Sequence, residues 1–140
     1  MRVYGDKPFP DLEAGIIRWA ASHPELSSGI PGYEFKHVGD ELPAKYRDRL
    51  PFVEISVAEG GTDGLTWRPR VELYCFAETR DSARSILADL FAKMTAYPRL
   101  FGGVSADTVE ITTWPTRSTA QEPDDDTVCF AGEVNISLRR

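Results

Sequence analysis

A chain of 140 residues, 41% apolar and 27% charged, has the size and texture of one globular domain, able to bury roughly two-thirds of its unfolded surface. Its formal net charge of −6 argues against duplex binding, which needs clustered Lys and Arg to neutralise phosphates. No apolar run approaches the ~20 residues of a membrane span, and the opening MRVYGDKPFP lacks the apolar segment of a secretory leader.

The first helix is expected from Phe9-Pro10-Asp11 to His23, with Leu12, Ile16, Trp19, Ala20 and His23 in one stripe and Pro24 closing it. Ser27 to Gly32 is a turn-rich connection. Tyr33 to Val38 alternates and predicts a half-buried strand. Gly39 to Arg49, broken by Pro43, predicts a loop with one helical turn. Pro51 to Val57 predicts a strand with Val53, Ile55 and Val57 on one face. Glu59 to Gly64 is a hairpin loop rich in residues that tolerate positive φ, and its partner strand starts at Leu65 or Trp67. Pro69 predicts an edge position or a bulge.

The strongest local signal runs from Arg70 to Tyr97. Val71, Leu73, Cys75 and Ala77 share one strand face, with Glu72, Tyr74 and Phe76 on the other. The period then changes: Ala83, Ile86, Leu87, Leu90, Phe91 and Met94 mark one helix face, with Thr79 or Asp81 at its start and Pro98 after its end. A strand of about seven residues covers ~23 Å and a helix of about sixteen covers ~24 Å. The helix therefore carries the chain back, and a strand near Asp107 should run parallel to Val71–Ala77 after the linker Arg99 to Ala106. Val109, Ile111 and Thr113 alternate in that strand. Pro115 to Asp126 reads as a polar loop with no apolar anchor. Thr127 to Leu138 is a long strand pairing with Val109–Trp114 as a hairpin, and Arg139-Arg140 is a solvated end. The expected class is α+β: a mixed, mainly antiparallel sheet of about five strands with two main helices packed on it, in one domain over residues 1–140.

The sequence gives no active-site pattern. Asp124-Asp125-Asp126 lacks the alternating ligands, central Gly and distal Glu of a calcium loop. A nuclease-like set of Asp11, Glu54 and a lysine lacks the motif around Glu54. Gly60-Gly61 and Gly102-Gly103 open no phosphate loop, and His23 has no Ser, Cys or carboxylate partner at catalytic spacing. Arg68, Arg70, Arg80 and Arg84 read as solvated charges rather than a basic patch. Cys75 and Cys129 read as buried free thiols in a reducing cytoplasm, with no metal spacing; whether they are close enough for a disulfide stays open. No catalytic residue, metal or cofactor is expected.

The residues expected at partner surfaces are Trp67, Arg68 and Trp114, at strand ends beside prolines, together with the acids Glu59, Asp63, Asp124, Asp125 and Asp126. Core packing is the competing role for both tryptophans.

The order and texture of the segments carry a family resemblance: the short helix Pro10–His23, the strand Pro51-Phe52-Val53-Glu54-Ile55, the Gly-rich hairpin, Val71-Glu72-Leu73-Tyr74-Cys75-Phe76-Ala77-Glu78-Thr79-Arg80-Asp81-Ser82-Ala83-Arg84 leading into the helix Ile86–Ala96, and the final Val134-Asn135-Ile136-Ser137-Leu138-Arg139. In these the chain resembles the tail terminator (tail-completion, head–tail joining) proteins of long-tailed bacteriophages. The resemblance implies a non-enzymatic virion protein, made in the host cytoplasm, that forms a homo-oligomeric ring of about six subunits. The ring stops tail-tube growth and offers a surface for the head. Its partners would be itself, the tail tube protein and a head-completion or connector protein, with neither sequence-specific nucleic-acid binding nor a membrane. The acidic loops Glu59–Thr66 and Pro115–Asp126, expected at one end of the sheet, would then suit a lumen through which DNA passes. The alternatives are a small monomeric or dimeric α+β ligand- or peptide-binding module and a hydrolase or nuclease without a recognised motif.

Overall fold

A computed structural model describes residues 9–62 and 64–139. Two helices cover one face of a five-stranded sheet. Helix α1 (Leu12–Ala21) begins at Asp11, whose side chain accepts the Ala14 N–H. Strand β1 (Val38–Gly39) pairs parallel with β2 (Phe52–Thr62), and β2 pairs antiparallel with β3 (Thr66–Ala77). Helix α2 (Arg80–Thr95) follows, capped by Thr79 through the Ser82 N–H. The short strands β4 (Leu100–Phe101) and β5 (Val104–Ser105) form a separate hairpin. Strand β6 (Thr108–Arg117) and β7 (Val128–Arg139) complete the sheet in the order β1-β2-β3-β7-β6.

The mixed, mainly antiparallel α+β class expected from the sequence is the observed one. Because β7 is antiparallel to both neighbours, β6 runs parallel to β3, as the helix-length argument required. Val53, Ile55, Val71, Leu73, Cys75, Val134, Ile136 and Leu138 are buried from the sheet side. Leu12, Ile16 and Ala20 of α1 and Ala83, Ile86, Leu87, Leu90, Phe91 and Met94 of α2 close the same core from above.

Several local expectations change. Tyr33 to Lys36 forms turns rather than a strand, and pairing is confined to Val38–Gly39. The alternation there fails because Gly29 and Gly32 adopt φ of 66° and 85°, and the amides of Tyr33 and Lys36 bond three residues back, to Ile30 and Tyr33. A single helical turn does occur in the next loop, as a 3-10 segment at Tyr46–Arg49. The glycine-rich stretch after Ala58 stays in β2, where the register shifts between Ala58 and Gly61. Pro69 sits opposite this shift with no ladder partner, so β3 is a central strand with a bulge and not an edge. The linker after α2 is also structured. Gly102 and Gly103, with φ of 55° and 91°, turn the β4–β5 hairpin, and Arg18 of α1 donates to the Gly102 carbonyl at 2.8 Å. Strand β6 extends to Arg117, with two register shifts after Ile111 and a buried Pro115, so the polar loop begins later and carries an apolar anchor at its base.

Candidate functional site

The sheet has a second face, and among the described residues no helix covers it. Opposite the helices, Glu54 and Ser56 of β2, Glu72 and Tyr74 of β3, and Ala131 and Glu133 of β7 are all partly exposed. Cross-strand pairing sets Glu54 beside Tyr74 and Tyr74 beside Ala131. The Tyr74 hydroxyl donates to Glu72 at 2.9 Å; burial and that bond push its pKa up to about 12. Glu54 accepts the Leu42 N–H at 3.0 Å, and desolvation raises its carboxyl despite that bond. Arg70 approaches Glu133 at 3.6 Å, and Glu110 of β6 lies beside Asn135 on the same face. The result is a half-wet surface carrying four glutamates against Arg68 and Arg70.

At one end this face is closed. Phe52, Phe76 and Cys129 form a buried cross-strand row. Two irregular segments meet there, because Tyr46 and Arg47 both donate to Asp124, the latter at 2.9 Å. The Tyr46 hydrogen bond is the main cause holding the Asp124 carboxyl below its usual range. Asp124 also accepts the Asp126 N–H at 2.8 Å, and Glu122 accepts from Arg117 at 2.9 Å and from the Cys129 N–H at 3.1 Å. Of the three aspartates singled out from sequence, Asp124 is therefore a structural pin, while Asp125 and Asp126 remain exposed.

The two acidic loops lie at opposite ends of the sheet. Thr62 pairs with Trp67, and Thr66 with Arg139, which puts the β2–β3 turn at one end; Ala77 pairs with Val128 and Phe130 with Arg117, which puts the β6–β7 loop at the other. Four strands of similar length allow no other arrangement, so the expectation of one shared acidic end is overturned. Asp63 and the side chain of Glu59 lie outside the described residues.

The tryptophans separate as well. Trp67 is half-buried, packs against the core and meets Phe9 at 5.7 Å between ring centroids. Trp114 is 53% exposed and rests edge-on against Phe91 at 6.2 Å, next to the outer edge of the sheet. Arg68 is exposed on β3. Arg70 and Arg80 are separated by most of the length of β3, so no four-arginine patch forms.

The remaining chemistry-bearing residues have structural roles. His23 Nε2 lies 2.6 Å from Asp89, and its Nδ1 accepts the Glu25 N–H at 3.1 Å, so both ring nitrogens are engaged. Asp11 caps α1 on the helix side of the sheet while Glu54 lies on the other, which separates the nuclease-like pair. Cys75 and Cys129 are free, buried and directed to opposite faces; Cys75 is paired with Phe130, and Cys129 with Phe76. Burial pushes the Cys129 thiol up to about 12 and raises Cys75 too. Among the described residues no group of three or more His, Cys, Asp or Glu is placed to hold a metal ion, and no helix is long and apolar enough to cross a membrane. No protein-family model matches the chain, and no curated protein matches it.

Replacing Asp124 by Ala removes the acceptor that joins the two segments. Proteolytic cleavage between residues 118 and 127 is expected to quicken severalfold, while a D125N/D126N variant is cut at the unmodified rate. Equal rates for all three proteins would contradict the anchoring role. The lowered Asp124 carboxyl makes this contribution complete above the ordinary carboxylate range and lost as pH falls through the depressed native value. The unmodified protein should thus show the same quickening in strong acid.

Proposed function

We propose that the chain is a structural subunit of a long-tailed bacteriophage, a tail terminator that closes the tail tube as a ring of about six copies and presents a surface to the head. The observation that carries this reading is the one-sided architecture. Both helices cover one sheet face; the other face is largely open, and the outer edge of β6 pairs with no strand among the described residues. An unpaired strand edge is a ready template for a strand of a neighbouring subunit, and the solvated polar face beside it leaves room for that neighbour. The segment order behind the resemblance supports the same reading, since its helices, hairpin and final strand are elements of this fold.

Under this reading the acids that would meet passing DNA are not those of the two loops together. With the two acidic loops at opposite ends, the open face bearing Glu54, Glu72, Glu110 and Glu133 against Arg68 and Arg70 is the larger acidic group, and its net negative sign would disfavour a phosphate backbone. The partners under this reading are further copies, the tail tube protein and a head-completion protein. The test adds purified protein to polymerising tail tube protein from the same phage. Tubes of limited length with density at one end are expected; tubes of unrestricted length with bare ends would overturn the reading. One observation favours the second reading, a monomeric or dimeric peptide-binding module: open clefts flank Ile30.

A further inference from the structure

Three of the exposed large apolar side chains crowd into one turn: Ile30 at 48%, Tyr33 at 60% and Phe35 at 46% exposure. The turn is internally fastened. The Tyr33 N–H donates to the Ile30 carbonyl, the Lys36 N–H to Tyr33, the Ile30 N–H to the Ser28 hydroxyl and the Gly32 N–H to the Glu34 carboxylate, all between 3.0 and 3.1 Å. Such bonds present the apolar groups on a fixed ridge, which lowers the ordering cost of a contact made there.

The ridge separates two clefts. One, of about 460 Å³, is lined by Arg18, Ala21, Ile30, Pro31, Glu34 and Phe35. The other, of about 290 Å³, is lined by Ile30, Tyr33, Lys36, Lys45, Asp48 and Arg49. Four cations against two anions line these clefts on a chain whose net charge is −6, so the local sign is opposite to the global one. Three of these cations, Lys36, Lys45 and Arg49, share the second cleft with Asp48 as its one anion among the described residues. Aromatic and aliphatic groups ringed by Lys and Arg suit a protein segment that brings both an apolar anchor and carboxylates.

We propose that the Ile30–Phe35 ridge and its two clefts dock an acidic segment of a partner protein, with an apolar side chain seated beside Ile30 and Tyr33 and carboxylates on Lys36, Lys45 and Arg49. Nucleic acid fits less well, because Glu34 and Asp48 would face its phosphates. A second copy is the other source of such a segment, through the exposed Asp125 and Asp126 of this chain, and the native mass of the charge variant separates the two. This docking surface does not depend on the tail reading.

The test is selection from a displayed library of random peptides about 12 residues long, against the whole chain and against two surface variants, K36E/K45E/R49E and I30S/Y33S. Circular dichroism first establishes that both variants are folded. Peptides enriched on the unmodified protein should be acidic and carry an aromatic or large aliphatic residue. Their affinity, read by fluorescence anisotropy, should fall at least tenfold on each variant and weaken with salt. Four results would overturn the proposal: no enrichment, enrichment without acidic bias, equal affinity for the variants, or a single-stranded oligonucleotide binding the same site more tightly. A change in native mass of the charge variant would assign the ridge to self-association and overturn it equally.

Discussion

Truncating Phe91 to Ala is expected to lower the unfolding free energy by about 3–5 kcal/mol. Phe91 is fully buried on α2, and its ring closes the space above Gly132 of β7, where even an added Cβ would fall 2.6 Å from the ring carbon Cζ. Its outer side supports Trp114. The truncation therefore removes core volume, opens a cavity the rigid sheet cannot close, and leaves Trp114 without its aromatic neighbour. Urea unfolding should show a lower midpoint at unchanged slope, and tryptophan emission of the native variant should shift to the red. A loss below about 1 kcal/mol would mean that the site collapses, contrary to the packing described.

The complementary substitution, Gly132→Val, overfills the same place. The new side chain would press on Phe91 and approach the Thr113 carbonyl, which lies 3.0 Å from an ideal Cβ. Overpacking of a core costs about 1–3 kcal/mol, and more where backbone blocks relaxation, as the Thr113 carbonyl does here. The two positions should be coupled: combining Gly132→Ala with Phe91→Leu should cost less than the sum of the separate changes, by about 0.5–3 kcal/mol in a double-mutant cycle. Strict additivity would show that the glycine is not there for the ring.

Much of the core was legible because its periods are clean. Alternation in Val71–Ala77 and Val128–Leu138, and the 3.6 period from Ala83 to Met94, each report one buried face, and all three faces are buried. Tyr33–Val38 alternates just as cleanly yet pairs only from Val38, since alternation signals a strand only where something covers it; the flanking glycines and Pro31 were the contrary signal. The β4–β5 hairpin was hidden in a linker whose Gly102-Gly103 pair is itself a hairpin signature. The surface was far less legible. The positions of the acidic loops follow from strand directions summed over four strands, and Asp124 is a pin only because Tyr46 reaches it from 78 residues away in sequence. Neither fact has a local trace. The glutamates of the open face sit at alternate strand positions, which shows their shared side but not that it lacks a cover.

We propose above that the open sheet face and the edge of β6, unpaired among the described residues, serve assembly of identical subunits. The most direct measurement is the native mass of the purified chain across concentration, alone and with tail tube protein. A discrete closed species near about six times the 15.6 kDa subunit mass is the predicted result. A strict monomer under both conditions would contradict it.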